Sequence, residues 1–217
     1  RITIPNGVAK IGDATFSGCT SLTDITIPSS VTNIGVSAFS RCNALISIII
    51  PDSVTSIGDS AFRNCRALKS ITIPNGVTAI GKYTFEYCTE LTSIILSDSL
   101  VSIGHSAFRY CRALRNIVIP DSVETIDTQA FSDCLKLTTV TLSKRLTRIE
   151  NCTFENCELL GSIIIPDGVT EIGKSAFAHC KSLFRVTIGK GVKKIGDYAF
   201  NSCPNINVIV YKGTPEQ

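Results

Sequence analysis

The sequence predicts a solenoid, in which the chain winds into short stacked coils that share one continuous core. Cysteine recurs at intervals of 23 residues from Cys19 to Cys203, and a phenylalanine stands three residues before each of these cysteines. A leucine or isoleucine follows three residues after each one, and no insertion interrupts the series. Self-similarity at a fixed period is the signature of repeat architectures, in which one structural unit stacks on the next.

One short strand is expected in every coil. Ile25 and Ile27 alternate with Thr26, which is the two-residue period of a strand with one buried side. Pro28 follows and ends the strand, because proline has no N–H to donate to a neighbouring strand. Since the unit recurs without slippage, we expect about ten short parallel strands along one face of the solenoid.

The remainder of each coil is expected to contain short extended and 3-10 segments, with little α-helix. Phe39, Cys42 and Leu45 stand three residues apart, a spacing that suits a chain bending around a core and does not suit a long helix. A glycine such as Gly35 marks one corner of most coils and is expected to adopt a positive φ. Glu150 occupies that glycine row, so we expect the coil around it to be locally altered.

No linker or change of composition divides the chain. We therefore expect one domain over residues 1–217, with nine full repeats of 23 residues and a partial terminal strand. The chain begins at Arg1 without a methionine and enters a strand-like run directly, from which we expect a fragment of a longer protein. In a stacked solenoid, most of the stability comes from each coil and from its contacts with the nearest neighbours.

The repeat unit resembles that of a known family. One unit reads Leu22-x-x-Ile25-x-Ile27-Pro28-x-x-Val31-x-x-Ile34-Gly35-x-x-Ala38-Phe39-x-x-Cys42. This pattern is similar to the BspA-type class of leucine-rich repeats, and the similarity extends over nearly the whole chain. The departures are Ser97, Ser143 and Gly189 in place of the proline, and Thr15, Thr84 and Thr153 in place of the alanine. The resemblance implies a right-handed leucine-rich-repeat solenoid of a secreted or cell-surface protein, in a family with several adhesion proteins and no common catalytic residue.

Charge and composition exclude several classes of function. The net charge of +3 is too weakly basic to predict a nucleic-acid partner. The longest apolar runs have about five residues, too few for membrane insertion. His105 and His179 lie on different rows, and neither row repeats a carboxylate or serine in an arrangement like a catalytic triad, so we expect no enzyme activity. The glycines are spread along the coils and form no phosphate-binding loop, so we expect no cofactor. No Cys-x-x-Cys occurs, so we expect no metal. We also expect a monomeric protein.

The cysteines are expected to be mostly buried and reduced. Cysteines in adjacent coils would lie about 5 Å apart, within the disulfide range, but a continuous row cannot all pair and its side chains run parallel. We therefore interpret the row as small buried apolar residues. Cys152 shares a different row with Ser37 and Tyr83, which predicts an exposed thiol. Asn151-Cys152-Thr153 is the only glycosylation sequon, so Asn151 is a candidate glycan acceptor in a glycosylating secretory pathway.

The outward row of the predicted strands is the first candidate binding surface. Its side chains point away from the core, yet many of them are aliphatic. Because β-branched residues favour strands in any case, a purely structural interpretation is also open. A contiguous exposed apolar stripe tends to mark an interface, so we expect a partner to bind this row on a concave face. The predicted contact residues are Thr26, Ile49, Thr72, Ile95, Val118, Thr141, Ile164 and Thr187.

Arginines and tyrosines on the opposite, convex side form the second candidate surface. They lie on loop rows beside the buried cysteines. Arginine with tyrosine suits anionic partners, such as sulfated glycans or an acidic protein. Glu86 and Glu90 interrupt the patch, which leaves a solvated face of mixed charge as the alternative. The patch comprises Arg41, Arg63, Arg66, Tyr87, Arg109, Tyr110 and Arg112.

Three functions are compatible with these patterns. Repeat solenoids present extended surfaces, which favours a module that binds a protein or glycan at a cell surface. A structural spacer within a longer surface protein would use the same repeats. An ice- or mineral-binding solenoid is the third, although Val101 and Glu124 interrupt the row that suggests it. That outward row contains Thr32, Thr55, Thr78, Thr147 and Thr170.

Overall fold

The computed structural model describes residues 2–213, which form stacked coils with two ladders of parallel strands and no helix. The first ladder contains β1 Ile2–Thr3, β3 Ile25–Thr26, β6 Ser70–Thr72, β8 Ser93–Ile95, β10 Asn116–Val118, β12 Thr139–Thr141, β14 Ser162–Ile164, β16 Arg185–Ile188 and β18 Val208–Tyr211. The second contains β2 Lys10–Ile11, β4 Asn33–Ile34, β5 Ser56–Ile57, β7 Ala79–Ile80, β9 Ser102–Ile103, β11 Thr125–Ile126, β13 Arg148–Ile149, β15 Glu171–Ile172 and β17 Lys194–Ile195. Paired residues are 23 positions apart, as in Ile2 with Ile25.

The predicted fold is confirmed, and one ladder is an addition to it. The first ladder has nine strands, and a bridge between Ser47 and Ser70 fills the coil without one, which matches the ten expected positions. The second ladder occupies a side where the sequence predicts only short extended pieces. Each of its strands has two residues and a single inward isoleucine such as Ile34, so no two-residue period is visible in the sequence.

Each coil turns twice through left-handed backbone between the second ladder and the first. In one coil, Ser37 has a φ of 54° and Arg41 a φ of 61°. These reversals direct backbone N–H groups at the next coil: Ser37 N donates to Asp59 O at 2.9 Å, and Arg41 N donates to Arg63 O at 2.7 Å. The turns therefore continue the hydrogen bonding between coils where no strand exists.

The predicted positive φ of the glycine row is wrong. Gly7 and Gly18 are the glycines with positive φ among residues 2–213, and Gly35 is not one of them. A Cβ at Gly35 would lie 2.7 Å from the backbone nitrogen of Asp13 and from the carbonyl carbon of Gly12 in the preceding coil. Glycine is favoured at Gly35 because two coils approach closely there.

The alteration expected at Glu150 coincides with a break in the second ladder. β11 and β13 are not hydrogen-bonded to each other, and a cleft of about 370 Å³ opens beside Ile126, Asp127 and Glu150. The same ladder also breaks between β5 and β7, where Gly58 and Gly81 keep the repeat pattern. Glu150 therefore accounts for one of the two breaks at most.

Ladders of identical side chains fill the core. The phenylalanine rings stack from Phe16 to Phe200, with centroids of successive rings 5.2–5.5 Å apart. The rings from Phe39 to Phe177 are fully buried, whereas Phe16 and Phe200 are half-buried in the outer coils. Each stacked pair adds about 0.5–1.5 kcal/mol beyond the burial of its area, so these stacks bind the coils together.

Candidate functional site

The outward row of the first ladder forms a continuous exposed surface, the strand face. Parallel pairing places Thr72 beside Ile95 and Val118 beside Thr141, so row members follow one another at about 4.8 Å. Ile49 is 83% exposed and Ile95 is 65% exposed, and no other part of residues 2–213 covers them. The strand face comprises the predicted residues Thr26, Ile49, Thr72, Ile95, Val118, Thr141, Ile164 and Thr187, of which Thr187 is half-buried and the others are exposed.

Three residues beside the strand face, Ile46, Phe184 and Lys212, are missing from the sequence-based prediction. Ile46 and Phe184 are each nearly half exposed on the row that precedes the strands. The other positions of that row hold mainly threonine and basic residues, so the row as a whole does not read as apolar in the sequence. A cleft of about 610 Å³ also opens beside Thr141 and Ile164, and Lys212 contributes a positive charge to it.

The predicted arginines and tyrosines come together on the turn side of the coils as the arginine–tyrosine surface. Tyr87 and Tyr110 stack with their ring centroids 4.4 Å apart. The guanidinium carbons of Arg109 and Arg112 lie 4.7 and 5.5 Å from the Tyr110 centroid, and Arg109 donates to the Tyr110 hydroxyl at 3.1 Å. Burial and the nearby Asp133 raise the pKa of Tyr110. The arginine–tyrosine surface comprises Arg41, Arg63, Arg66, Tyr87, Arg109, Tyr110 and Arg112.

Glu86, which is expected to interrupt this surface, is buried within it. Its carboxylate accepts a hydrogen bond from Arg63 Nε at 2.6 Å, and the residue is only 4% exposed. Glu86 therefore compensates one arginine and presents little charge to a ligand. The Arg63 guanidinium also lies 5.5 Å from the ring centroid of Tyr83. The sequence-based prediction omits Tyr83 because its row is filled mainly by serines.

The ladder cysteines form hydrogen bonds as well as packing contacts. The Cys88 thiol donates to Phe62 O at 3.2 Å, and the thiols from Cys42 to Cys203 repeat this contact at 3.1–3.3 Å. Burial raises the pKa of the Cys42 thiol to about 11. Such thiols stay protonated near neutral pH and are poor nucleophiles or ligands. Within residues 2–213, no cluster of His, Cys, Asp or Glu is arranged to hold a metal ion.

The prediction of one exposed thiol at Cys152 needs correction. Cys152 is half-buried, and Cys19 and Cys203 in the outer coils are half-buried as well. Burial, followed by the nearby Glu155, raises the pKa of the Cys152 thiol. A hydrogen bond with Cys180 lowers the pKa of the Cys203 thiol. Three thiols are therefore partly accessible: Cys152 on its own row, and Cys19 and Cys203 at the two ends of the cysteine ladder.

The glycosylation sequon is part of the contacts between coils. Asn151 Oδ1 accepts a hydrogen bond from Lys174 N at 2.8 Å, as Asp59 does from its own neighbouring coil. Thr153 is fully buried, and its hydroxyl donates to Glu150 O at 2.7 Å. Asn151 therefore has a structural role in the folded chain, and the attachment of a glycan there stays a prediction.

The His105 ring contacts the serine that follows it in the chain and a threonine of the next coil. His105 Nε2 lies 3.2 Å from Ser106 Oγ, and His105 Nδ1 lies 2.6 Å from Thr128 Oγ1. Ser106 is fully buried, and a threonine hydroxyl stands where a catalytic triad has a carboxylate. The pair therefore lacks both access to a substrate and an orienting acid.

In the outward threonine row, some hydroxyl groups form hydrogen bonds with the backbone of the preceding coil. The Thr32 hydroxyl donates to Ala9 O, and the Thr170 hydroxyl donates to Thr147 O, both at 3.2 Å. These hydroxyls are less available for a lattice of ordered water, which weakens the ice-binding hypothesis.

The coils stack through parallel strands, and each repeats the same pattern of leucine, isoleucine and phenylalanine, which defines a leucine-rich-repeat solenoid. The family model described as a BspA type leucine rich repeat region matches residues 1–113 and 78–207, with six copies. The chain therefore belongs to the BspA-type leucine-rich-repeat family. No curated protein matches it by sequence. Residues 2–213 contain no helix with the length and apolar character needed to cross a membrane.

Several solved structures are similar to this chain. A leucine-rich repeat protein of T. pallidum is 29% identical, with 83% of this chain and 76% of that protein covered and a TM-score of 0.56. The pneumococcal vaccine antigen PcpA is 20% identical, with 98% and 68% covered and a TM-score of 0.50. A leucine rich cell surface protein of Faecalibacterium prausnitzii is 29% identical, with 100% and 88% covered and a TM-score of 0.46. The first two similarities support the solenoid fold.

Proposed function

We propose that this chain is a repeat-based binding or adhesion module whose strand face contacts a protein partner. The proposal rests on one observation: the aliphatic residues Ile49, Ile95, Val118 and Ile164 are 61–83% exposed along a single row. Membership of the BspA-type family supports the same class of function, because repeat solenoids present extended binding surfaces.

The energetics of the strand face favour an interface. Exposed aliphatic side chains gain about 25 cal/mol per Å² when a partner removes them from water. Ile95, Val118 and Ile164 project from strands that are already paired, so little additional ordering of their backbone is required on binding. Thr72 and Thr141 stand between them and supply hydroxyl groups without the desolvation cost of a charge.

A protein partner suits this face better than a glycan does. An apolar centre with a small polar rim is the usual composition of a protein interface. The row beside the aliphatic residues supplies that rim, with side chains such as Ser70, Ser93 and Asn116. The face has few of the charged or amide groups that would recognise sugar hydroxyls.

We further propose, on the basis of the family, that the chain is monomeric and acts at a cell surface or in a secreted protein. A structural spacer within such a protein is the competing function. A spacer needs a stable stack of coils and makes no use of a row of exposed aliphatic side chains.

The test replaces Ile95 and Val118 together by lysine. Both side chains are about two-thirds exposed, so the double variant should fold normally. Binding to the partner should weaken by about 100-fold or more, because two central apolar contacts are replaced by charges. Binding would be measured by surface plasmon resonance against a panel of purified extracellular proteins.

The matched control is Val36→Lys with Val101→Lys. It adds the same two charges at exposed valines away from the strand face, on rows where Lys82 and Lys193 already occur. Equal losses in both variants would overturn the assignment of the strand face. If the unaltered chain bound no member of a broad panel, the spacer function would be favoured.

A further inference from the structure

One arrangement of basic residues, which runs from the turn side of a coil toward its strand, is repeated in two coils. Each coil carries three basic residues at intervals of three, and the second set follows the first by 46 residues, which is two repeats of 23. The sets are Arg63, Arg66 and Lys69 in one coil, and Arg109, Arg112 and Arg115 in the other. Adjacent coils are about 4.8 Å apart, so the two sets lie about 10 Å apart.

Four of these six cations are available to an anionic ligand. Arg66, Lys69, Arg112 and Arg115 are exposed and have no ion pair within the part of the chain that the structure describes. Because no acidic side chain of the described residues compensates these charges, they attract an incoming anion.

The remaining two arginines are held in place by acidic residues. Arg63 pairs with the buried Glu86, whereas Arg109 Nε lies 3.7 Å from Asp133 Oδ2. Arg109 Nε is buried and has no hydrogen-bond partner. The position of Arg109 is therefore set by the Asp133 carboxylate and the Tyr110 ring, and not by a hydrogen bond from Nε.

Two stacked tyrosines lie at the centre of this basic surface. The rings of Tyr87 and Tyr110 are inclined by only 14°, and the Arg109 and Arg112 guanidinium groups lie close to the Tyr110 ring. Contact with the ring orients the two arginines before any ligand arrives. Oriented arginines lose less conformational entropy on binding than freely rotating ones.

We propose that the arginine–tyrosine surface, extended by Lys69 and Arg115, binds a sulfated polysaccharide. Sulfate groups fit the planar fork of arginine, which donates two N–H bonds to two oxygens. The C–H groups of sugar rings pack on aromatic rings, and Tyr87, which Tyr110 covers on one side, provides such a ring. A linear polysaccharide carries sulfates along its length, so one chain engages both basic sets and gains from the double attachment. An acidic peptide would match the charge and make no use of the Tyr87 ring.

Heparin is the probe, and Arg66→Thr with Arg112→Thr is the variant that removes the charges. Threonine already occupies this row at Thr89, so the fold should be retained. Titration calorimetry should show heparin affinity reduced by at least about tenfold, with a weaker dependence on salt. The control Lys190→Ala with Lys193→Ala removes two exposed positive charges from other coils and should change the affinity by less than about twofold.

A second variant tests the aromatic part of the surface. Asn64 and Asn156 already stand on the tyrosine row with φ of 60° and 58°, so Tyr87→Asn with Tyr110→Asn should keep the backbone. Heparin affinity should fall by about fivefold or more, since the packing of a sugar on one aromatic ring contributes about 1 kcal/mol. Poly-L-glutamate should compete poorly with heparin at equal concentration of charge.

The outcomes separate this ligand from the protein partner of the strand face. Ile95→Thr with Val118→Thr should leave heparin binding unchanged. Absence of heparin binding by the unaltered chain, or equal losses in the Lys190→Ala, Lys193→Ala control, would overturn the proposal. Equal competition by poly-L-glutamate would assign the surface to acidic protein segments and would also overturn it.

Discussion

The strand face and the arginine–tyrosine surface are built from the same 23-residue coil, yet their side chains are held in different ways. On the strand face, neutral side chains project from extended backbone, and the aliphatic ones are 61–83% exposed. On the arginine–tyrosine surface, side chains leave left-handed turns such as Tyr110, with a φ of 61°, and are fixed by rings and ion pairs. The strand half of a coil should therefore tolerate changes that the turn half does not.

The largest difference between the two halves should appear at alkaline pH, because the buried thiols belong to the turn half. Burial raises the pKa of the Cys42 thiol from 9.0 to about 11, and it raises the pKa values of Cys65, Cys88 and Cys111 further. Above pH 9.0 an unfolded chain loses these protons while the folded chain keeps them. The contribution of the thiols to the free energy of unfolding is therefore fully present below pH 9.0 and is lost as the pH rises above it. Each strongly shifted thiol should cost about 1.4 kcal/mol per pH unit.

Urea unfolding midpoints between about pH 7 and pH 10 measure this effect. Cys88→Ala serves as the control for one thiol: it should be less stable at neutral pH and lose stability less steeply as the pH rises. A midpoint that does not change over this range would show that the thiols titrate normally in the folded chain.

The next effect concerns the close approach of coils at the glycine row. In Gly104→Ala, the new Cβ would lie 2.9 Å from the carbonyl carbon of Gly81 and from the nitrogen of Lys82, both backbone atoms that cannot move freely. We expect a loss of about 1–3 kcal/mol of stability in chemical denaturation. Gly12→Ala is the matched control, because the nearest atom there is the Thr15 hydroxyl oxygen at 3.3 Å. Similar losses in the two variants would contradict the steric explanation.

A smaller effect separates charge from shape on the arginine–tyrosine surface. Glu86→Gln keeps the volume of the side chain and removes the charge that compensates Arg63. Because Arg63 is 42% exposed and screened by solvent, stability should fall by only about 1 kcal/mol or less. Heparin affinity should rise severalfold, whereas binding at the strand face should not change. The exposed Glu90→Gln is the comparison, and a larger gain there would mean that Glu86 does not restrain Arg63.

The smallest change in stability is expected on the strand face. Ile95→Thr with Val118→Thr replaces two exposed aliphatic residues by the residue that Thr72 and Thr141 already place on the same row. The unfolding midpoint should shift by an amount equivalent to less than about 0.5 kcal/mol, while affinity for the protein partner should fall. A large destabilisation would show that these side chains support the ladder and are not free for a partner.

The repeat made most of the fold predictable. Nine cysteines in register, with Phe and Leu at constant offsets, required stacked coils with a shared core. The alternation around Thr26 located the first ladder and its outward row. The second ladder was not predictable, because two residues per strand are too few to display a period. The glycine row shows a related limit: the sequence marks Gly35 as special, but does not distinguish a left-handed turn from a close approach between coils.

The sequence by itself determined the coil length, the family, the strand row and the positions of the basic residues. Each of these features depends only on spacing along the chain, and an uninterrupted period of 23 residues defines that spacing unambiguously. The tertiary structure decided that Glu86 is buried against Arg63, that the Cys88 thiol donates to Phe62 O, and that Tyr87 and Tyr110 stack. These contacts join residues of different coils, and their geometry depends on the height and rotation of one coil on the next. Only the packed core sets those two quantities, because they arise from the sum of many weak contacts and from no single position.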